Sequence, residues 1–260
     1  MLSGATIECT GSGCEYRLTA AGVCLWIMSY IQSGRISIFN ANVNFMGALF
    51  SKSKDFLRPF IPPALFKVLK KLYMKNQLKS WEKNGRPAPP PHIVKQMTIH
   101  EYQQKYHCEV LVESGTFRGD MVEAQKKFFK KIISIELATE LFEKAKRKFS
   151  KDPNVEILEG DSGQVLSTVM KDMSEPAIFW LDGHYSALET AKGSTECPIY
   201  KELDCILDAK PMNHVILIDD ARDFTGRGDY PAVDALTSYI KNKNDRYQLS
   251  VENDIIRCVI

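Results

Sequence analysis

The sequence predicts an α/β fold: an open, doubly wound sheet of five parallel crossover strands that closes on an antiparallel hairpin, with a helical arm before it. Three observations predict it. Glu109 to Glu136 (EVLVESGTFRGDMVEAQKKFFKKIISIE) reads as apolar run, glycine turn, helical spacing, apolar run, which is one right-handed crossover unit. Three further apolar runs, 155–158, 176–181 and 214–218, each end in acidic residues and alternate with helical segments. Last, Tyr247–Glu252 and Ile255–Ile260 are joined at Asn253-Asp254, a hairpin signal.

The chain has 260 residues, a formal charge of +2 and the apolar content of a soluble globular protein. Its charge is uneven. Residues 1–80 hold ten Lys/Arg against three Asp/Glu, and the rest 24 against 29, so the body is mildly acidic and nucleic acid is not expected as a partner. Seven cysteines (Cys9, Cys14, Cys24, Cys108, Cys197, Cys205, Cys258) stand at irregular spacings without a disulfide framework. That pattern points to a reducing, cytoplasmic compartment. Cys9 and Cys14 lack a second Cys/His pair at ligand spacing, so zinc is not expected there.

Residues 1–45 are expected to form a poorly defined extension. The apolar run Ala20–Ile31 falls short of the ~20 residues that span a bilayer, and it lacks the basic start and cleavage site of a secretory signal. Residues 46–91 read as a basic arm. Pro62-Pro63 opens a helix in which Leu65, Phe66, Val68, Leu69, Leu72 and Tyr73 alternate with Lys67, Lys70, Lys71 and Lys75. Such a helix, 62–80, either rests on an anionic membrane face, which would make the protein peripheral at the inner membrane, or docks on its own domain with solvated lysines. Arg86 to Pro91 is a stiff, extended linker. A domain of residues 92–260 follows, with a helix around Ile99–Tyr106 leading into the first strand.

The glycine turn carries the first chemistry. Backbone without Cβ approaches a ligand closely, a helix start offers free N–H groups, and Glu136 at the next strand's carboxyl end can accept hydrogen bonds from ribose hydroxyls. The turn has Gly115 and Gly119 but no third glycine at dinucleotide spacing, which disfavours an NAD-dependent oxidoreductase. No Gly-Lys-Ser/Thr loop occurs either, so a nucleoside triphosphate is not expected. Glu113-x-Gly115-x-x-x-Gly119 resembles the first motif of the class I S-adenosylmethionine-dependent methyltransferases, and the element order matches their Rossmann-like sheet. The resemblance implies S-adenosylmethionine as cofactor. Its methionine part would lie on Glu113, Gly115 and Gly119, its ribose on Glu136 and its adenine edge on Asp161, with Ser114, Thr116 and Ser162 as further cofactor-binding candidates. Asp161 also suits the N-cap of the helix that Ser162 begins.

Asp182 ends the fourth strand and Asp219-Asp220 the fifth; if those strands are neighbours, three carboxylates converge. Gathered acids must be protonated, paired or bound to a cation, and oxygen ligands suit Mg²⁺; pairing with Arg222 and Arg227 is the alternative. The segments FWLDGHYS, TAKG, CPIYKEL and HVILIDDARDFTGRGDYP look like those of class I methyltransferases encoded with bacterial surface-polysaccharide genes. More distantly they are similar to the magnesium-dependent sugar O-methyltransferases of macrolide and aminocoumarin pathways. The resemblance covers Ile99 to Ile260 and the basic helix, and departs from the family at Ala187-Leu188-Glu189, where glycines are expected. It implies metal on Asp182, Asp219 and Asp220, a sugar or glycoconjugate hydroxyl as acceptor, and transfer of a methyl group to it.

His184 is the first candidate for the base, because its ordinary pKa lies near neutrality, and Asp182 the second. Tyr185 stands where a side chain either stacks on a ring or packs the wall. The loop 183–197, with Gly193 and Ser194 as hinges, has the length of a lid. A different class of function fits the same sequence: a non-catalytic scaffold docked by its basic helix on a membrane-associated polysaccharide assembly. The oligomeric state, a homo-oligomer included, is not readable.

Overall fold

The structure, a computed structural model, describes residues 5–10, 13–18, 62–183 and 197–260. The chain divides into two compact units, Met1–Ser80 and Trp81–Ile260. In the first, β1 (Ala5–Thr10) and β2 (Gly13–Leu18) form an antiparallel hairpin in which Thr10 faces Gly13. The apolar run Ala20–Ile31 lies outside the described residues. Helix α1 (Pro63–Lys83) begins at the proline pair as its sequence predicts. Trp81 near its end is buried and donates its Nε1–H to the Pro87 carbonyl at 2.7 Å. No helix among the described residues is long and apolar enough to cross a membrane.

The second unit runs α2 (His92–Tyr106), β3 (Val110–Ser114), α3 (Asp120–Gln125), β4 (Lys131–Glu136), α4 (Thr139–Lys148), β5 (Val155–Glu159), α5 (Ser162–Lys171), β6 (Ala177–Leu181), α6 (Ile199–Leu207), β7 (Val215–Ile218), α7 (Val233–Lys243), β8 (Gln248–Glu252) and β9 (Ile255–Val259). The seven strands lie in the order β5-β4-β3-β6-β7-β9-β8. The first five are mutually parallel, and β9 pairs antiparallel with both β7 and β8. This is the Rossmann-like class I methyltransferase sheet expected from the run of elements.

Burial on both faces explains the nearly continuous apolar strands. Val112, Ile135, Phe179, Leu181, Ile216 and Ile218 face a core completed by α5, α6 and α7. On the other face Leu111, Ile132, Ile178, Trp180 and Leu217 meet Ile99, Tyr102, Met121, Val122 and Phe149. Each fully buried aliphatic side chain contributes about 1.5–3 kcal/mol, so these two layers fix the strand order.

Two helices differ from their sequence expectation. The helix α2 starts at His92, seven residues before Ile99, because buried polar groups interrupt its apolar pattern: Gln96 bonds His92 Nδ1 at 2.7 Å, and its carbonyl accepts from Gln125 Nε2 at 2.8 Å. The helix α3 stops at Gln125, short of Phe128 and Phe129. Asn154 donates to the Lys126 and Phe129 carbonyls at 2.7 and 2.9 Å, and so satisfies groups that a longer helix would have bonded internally.

Candidate active site

The crevice at the carboxyl ends of the parallel strands has two halves, built from the strands on either side of the switch between β3 and β6. On one side, the glycine turn leaves β3 and is pinned to β4 by Gly115 N and Thr116 N, which donate to the Ile135 carbonyl at 2.9 and 3.2 Å. Gly115 has φ +86°, and a Cβ there would sit 2.5 Å from the Asp182 carbonyl oxygen. Only glycine lets β3 leave its turn this close to the end of β6. Gly119 also has positive φ, and its Cβ would strike the Phe149 ring at 2.5 Å, so its backbone conformation and the packing at α4's end both favour glycine.

Glu113, at the end of β3, is buried and accepts from the Ser134 hydroxyl at 2.5 Å, while Thr116 Oγ1 stands 2.6 Å from the same Ser134 oxygen. Burial pushes its pKa up to about 8; the Ser134 hydrogen bond and the charge of Lys148 oppose the rise, and Glu136 adds to it. Glu136, buried at the end of β4, accepts from Phe117 N at 2.7 Å on Oε2 and from Ala138 N at 2.9 Å on Oε1. Each oxygen keeps a further lone pair for a ligand hydroxyl. Among the described residues no lysine or arginine forms an ion pair with either carboxylate. Asp161 caps α5, accepting from Gly163 N at 2.9 Å, and Ser162 donates to Glu202 Oε1 at 2.6 Å.

The other half gathers the aspartates. β6 and β7 are neighbours, Leu181 faces Ile218, and Asp219 N donates to the Leu181 carbonyl at 3.0 Å. One oxygen each of Asp182, Asp219 and Asp220 therefore come within 4.8 Å of one another. Into this cluster α2 inserts Lys95, whose Nζ bonds Asp219 Oδ2 and also Asp220 Oδ1 at 3.1 Å. Burial disfavours the ammonium, but the three carboxylates outweigh it and raise Lys95 above the ordinary range. Arg222 grips Asp220 Oδ1 at 2.9 Å and Asp254. Burial would raise Asp220, and Lys95 with Arg222 hold it below the usual carboxylate range. Burial and the Asp219 charge push Asp182 well up, and burial pushes Asp219 to about 6 against the pull of Lys95. Asp219 Oδ1 is buried without a partner among the described residues.

The three aspartates supply the oxygen donors that Mg²⁺ prefers, but Lys95 takes one oxygen from each of two of them. A divalent ion ~4 Å from that ammonium is repelled by roughly 8 kcal/mol at an effective dielectric of 20. With Lys95 in place two of those oxygens go to an ammonium, so the cluster as it stands fits a divalent ion poorly. S-adenosylmethionine fits the other half better: Glu136 keeps a lone pair on each oxygen for its ribose hydroxyls.

The structure thus brings the eight cofactor candidates to one end of the sheet and the three aspartates beside them. His184, Tyr185 and the hinges Gly193 and Ser194 lie outside the described residues. The sequence reading missed Lys95 and Glu202. Lys95 shares the buried face of α2 with Ile99 and Tyr102, at i, i+4 and i+7, a spacing visible once the helix is started at His92. Glu202 lies on the apolar face of α6 with Ile199, Leu203 and Ile206, is buried, and bonds both Ser162 and Ser114. It ties the glycine turn to the start of α5.

The sequence matches no protein-family model and no curated protein. Among solved structures the chain is similar to an O-methyltransferase from Bacillus cereus in complex with SAH, with 14% identity, 72% of this chain and 90% of that chain covered, and a TM-score of 0.48. It is similar to the O-methyltransferase TomG from Streptomyces achromogenes, involved in tomaymycin synthesis and in complex with SAM (13%, 72% and 88%, TM-score 0.46). The SAH-bound methyltransferase PaMTH1 from Podospora anserina gives 13%, 81% and 96%, with a TM-score of 0.45. At these scores the likeness adds nothing to the topology already described.

Proposed function

We propose that this chain is an S-adenosylmethionine-dependent O-methyltransferase whose acceptor is a sugar hydroxyl on a polysaccharide or glycoconjugate. The observation that supports it most is the pair of buried carboxylates, Glu113 and Glu136, that flank the glycine turn and accept hydrogen bonds only from neutral donors among the described residues. When bound there, the cofactor supplies a methyl group already activated on a cationic sulfur. The protein's share is then position and a proton. Glu136 holds the ribose hydroxyls, Glu113 and the backbone around Gly115 hold the amino-acid tail, and Asp161 with Ser162 borders the adenine. Asp182, whose backbone carbonyl abuts Gly115, stands at the junction of the two halves and takes the acceptor's hydroxyl proton on its carboxylate, alone or through His184.

The sugar acceptor follows the sequence resemblance; a peripheral membrane contact through α1 follows its basic amphipathic pattern, with Val68 and Leu72 exposed beside Lys67 and Lys71. A thermal-shift series tests the cofactor. S-adenosylmethionine and its demethylated product should each raise the melting temperature, because a ligand that binds only the folded state stabilises it by mass action. Stabilisation by NAD with no response to either would overturn the reading.

A further inference from the structure

Charge counting in the acceptor half leads to a cation that no motif in the sequence marks. Asp182, Asp219 and Asp220 present oxygens within 4.8 Å, and the Asp219 side chain has no exposed surface. Carboxylates this close must be protonated or share a positive charge between them. Arg222 serves the outer one, Asp220, and shares itself with Asp254. The inner charge is Lys95, whose side chain is only 14% exposed and touches both Asp219 and Asp220. It is not a surface lysine that has fallen in. Its helix is anchored on the sheet by Ile99 and Tyr102, buried on the same face one and two turns on, which fixes the point from which the side chain reaches.

We propose that Lys95 is the resident cation of the acid cluster, standing in for a divalent ion and excluding one. The aspartates, which in a metal enzyme would be ligands, here hold an ammonium. Two of its three N–H bonds go to Asp219 and Asp220, so among the described residues it retains one donor for an oxygen atom of the molecule bound beside it. In placing that atom in an acceptor site the inference rests on the methyl-transfer reading; the exclusion of metal rests on the geometry alone.

The test uses the full chain and Mn²⁺ as the probe, followed by electron paramagnetic resonance, with no cofactor present. Wild type should show no Mn²⁺ site that Asp220→Asn removes. Lys95→Met should gain such a site, at least about tenfold tighter than any in wild type, and lose it again in Lys95→Met/Asp219→Asn. Lys95→Arg keeps the charge and should exclude Mn²⁺ as wild type does, while the gain of a site in the near-isosteric Lys95→Met is the outcome that a merely space-filling role would not give. A wild-type Mn²⁺ site abolished by Asp220→Asn overturns the proposal, and this needs no lysine variant to fold. So does a Lys95→Met protein that folds and gains no site. Failure of wild type to bind S-adenosylmethionine in the thermal-shift series would sink the methyl-transfer reading and leave the Mn²⁺ result standing.

Discussion

The two halves of the crevice hold buried carboxylates in opposite ways. On the glycine-turn side, Glu113 and Glu136 are met by a serine hydroxyl and two backbone amides. On the aspartate side, Asp219 and Asp220 are met by an ammonium and a guanidinium. Neutral donors orient a carboxylate without cancelling its charge, whereas a lysine or arginine does both. The first half therefore leaves Glu136 open to a ligand's hydroxyls beside a largely protonated Glu113, and the second already holds two cations among its aspartates. On the methyl-transfer reading proposed above, the donor would bind the first half and the hydroxyl acceptor the second.

The largest effect that bears on this contrast is expected from Lys95→Met. Removing one partner of a buried ion pair leaves Asp219 uncompensated and should cost about 3–5 kcal/mol in urea denaturation; a loss below ~1 kcal/mol would show that the aspartates do not depend on the lysine. Next comes Gly115→Ala. With φ +86° and a Cβ placed 2.5 Å from the Asp182 carbonyl, it should lose on the order of 2–3 kcal/mol and separate the two halves, read as a lower melting temperature and a weaker response to S-adenosylmethionine.

A pH series sharpens the other half. Glu113 has a folded pKa raised from an ordinary 4.5 to about 8, so the folded state holds a proton that the unfolded chain releases. Stability is therefore lost as pH rises between those values, by roughly 2 kcal/mol from pH 6 to pH 8. Glu113→Gln should flatten that slope; an unchanged slope would assign it elsewhere. The smallest effect is Asp161→Ala, which removes the cap of α5 and should cost about 1 kcal/mol without touching the acid cluster.

Most of the fold was legible because both faces of the sheet are covered: buried parallel strands write themselves as apolar runs, and each run from β3 to β7 falls within a residue or two of its expected place. The glycine turn and the three aspartates were legible for a related reason, since strand ends in such sheets converge on one crevice. Lys95 and Glu202 were not, because a charged residue on the buried side of a helix breaks the apolar period by which that helix is recognised. The same interruption, made by Gln96 and Lys95, hid the first seven residues of α2. What a periodic reading discards as noise was here the chemistry of the site.

On the methyl-transfer reading proposed above, the glycine-turn half would receive S-adenosylmethionine through the hydrogen bonds that Glu136 offers its ribose. Calorimetric titration of S-adenosylmethionine into wild type and into Glu136→Ala, the variant first shown to unfold cooperatively, tests it most directly. Wild type should bind with a dissociation constant on the order of micromolar, and the variant at least about 100-fold more weakly. Equal affinity in the two proteins, or no heat of binding in wild type, would contradict it.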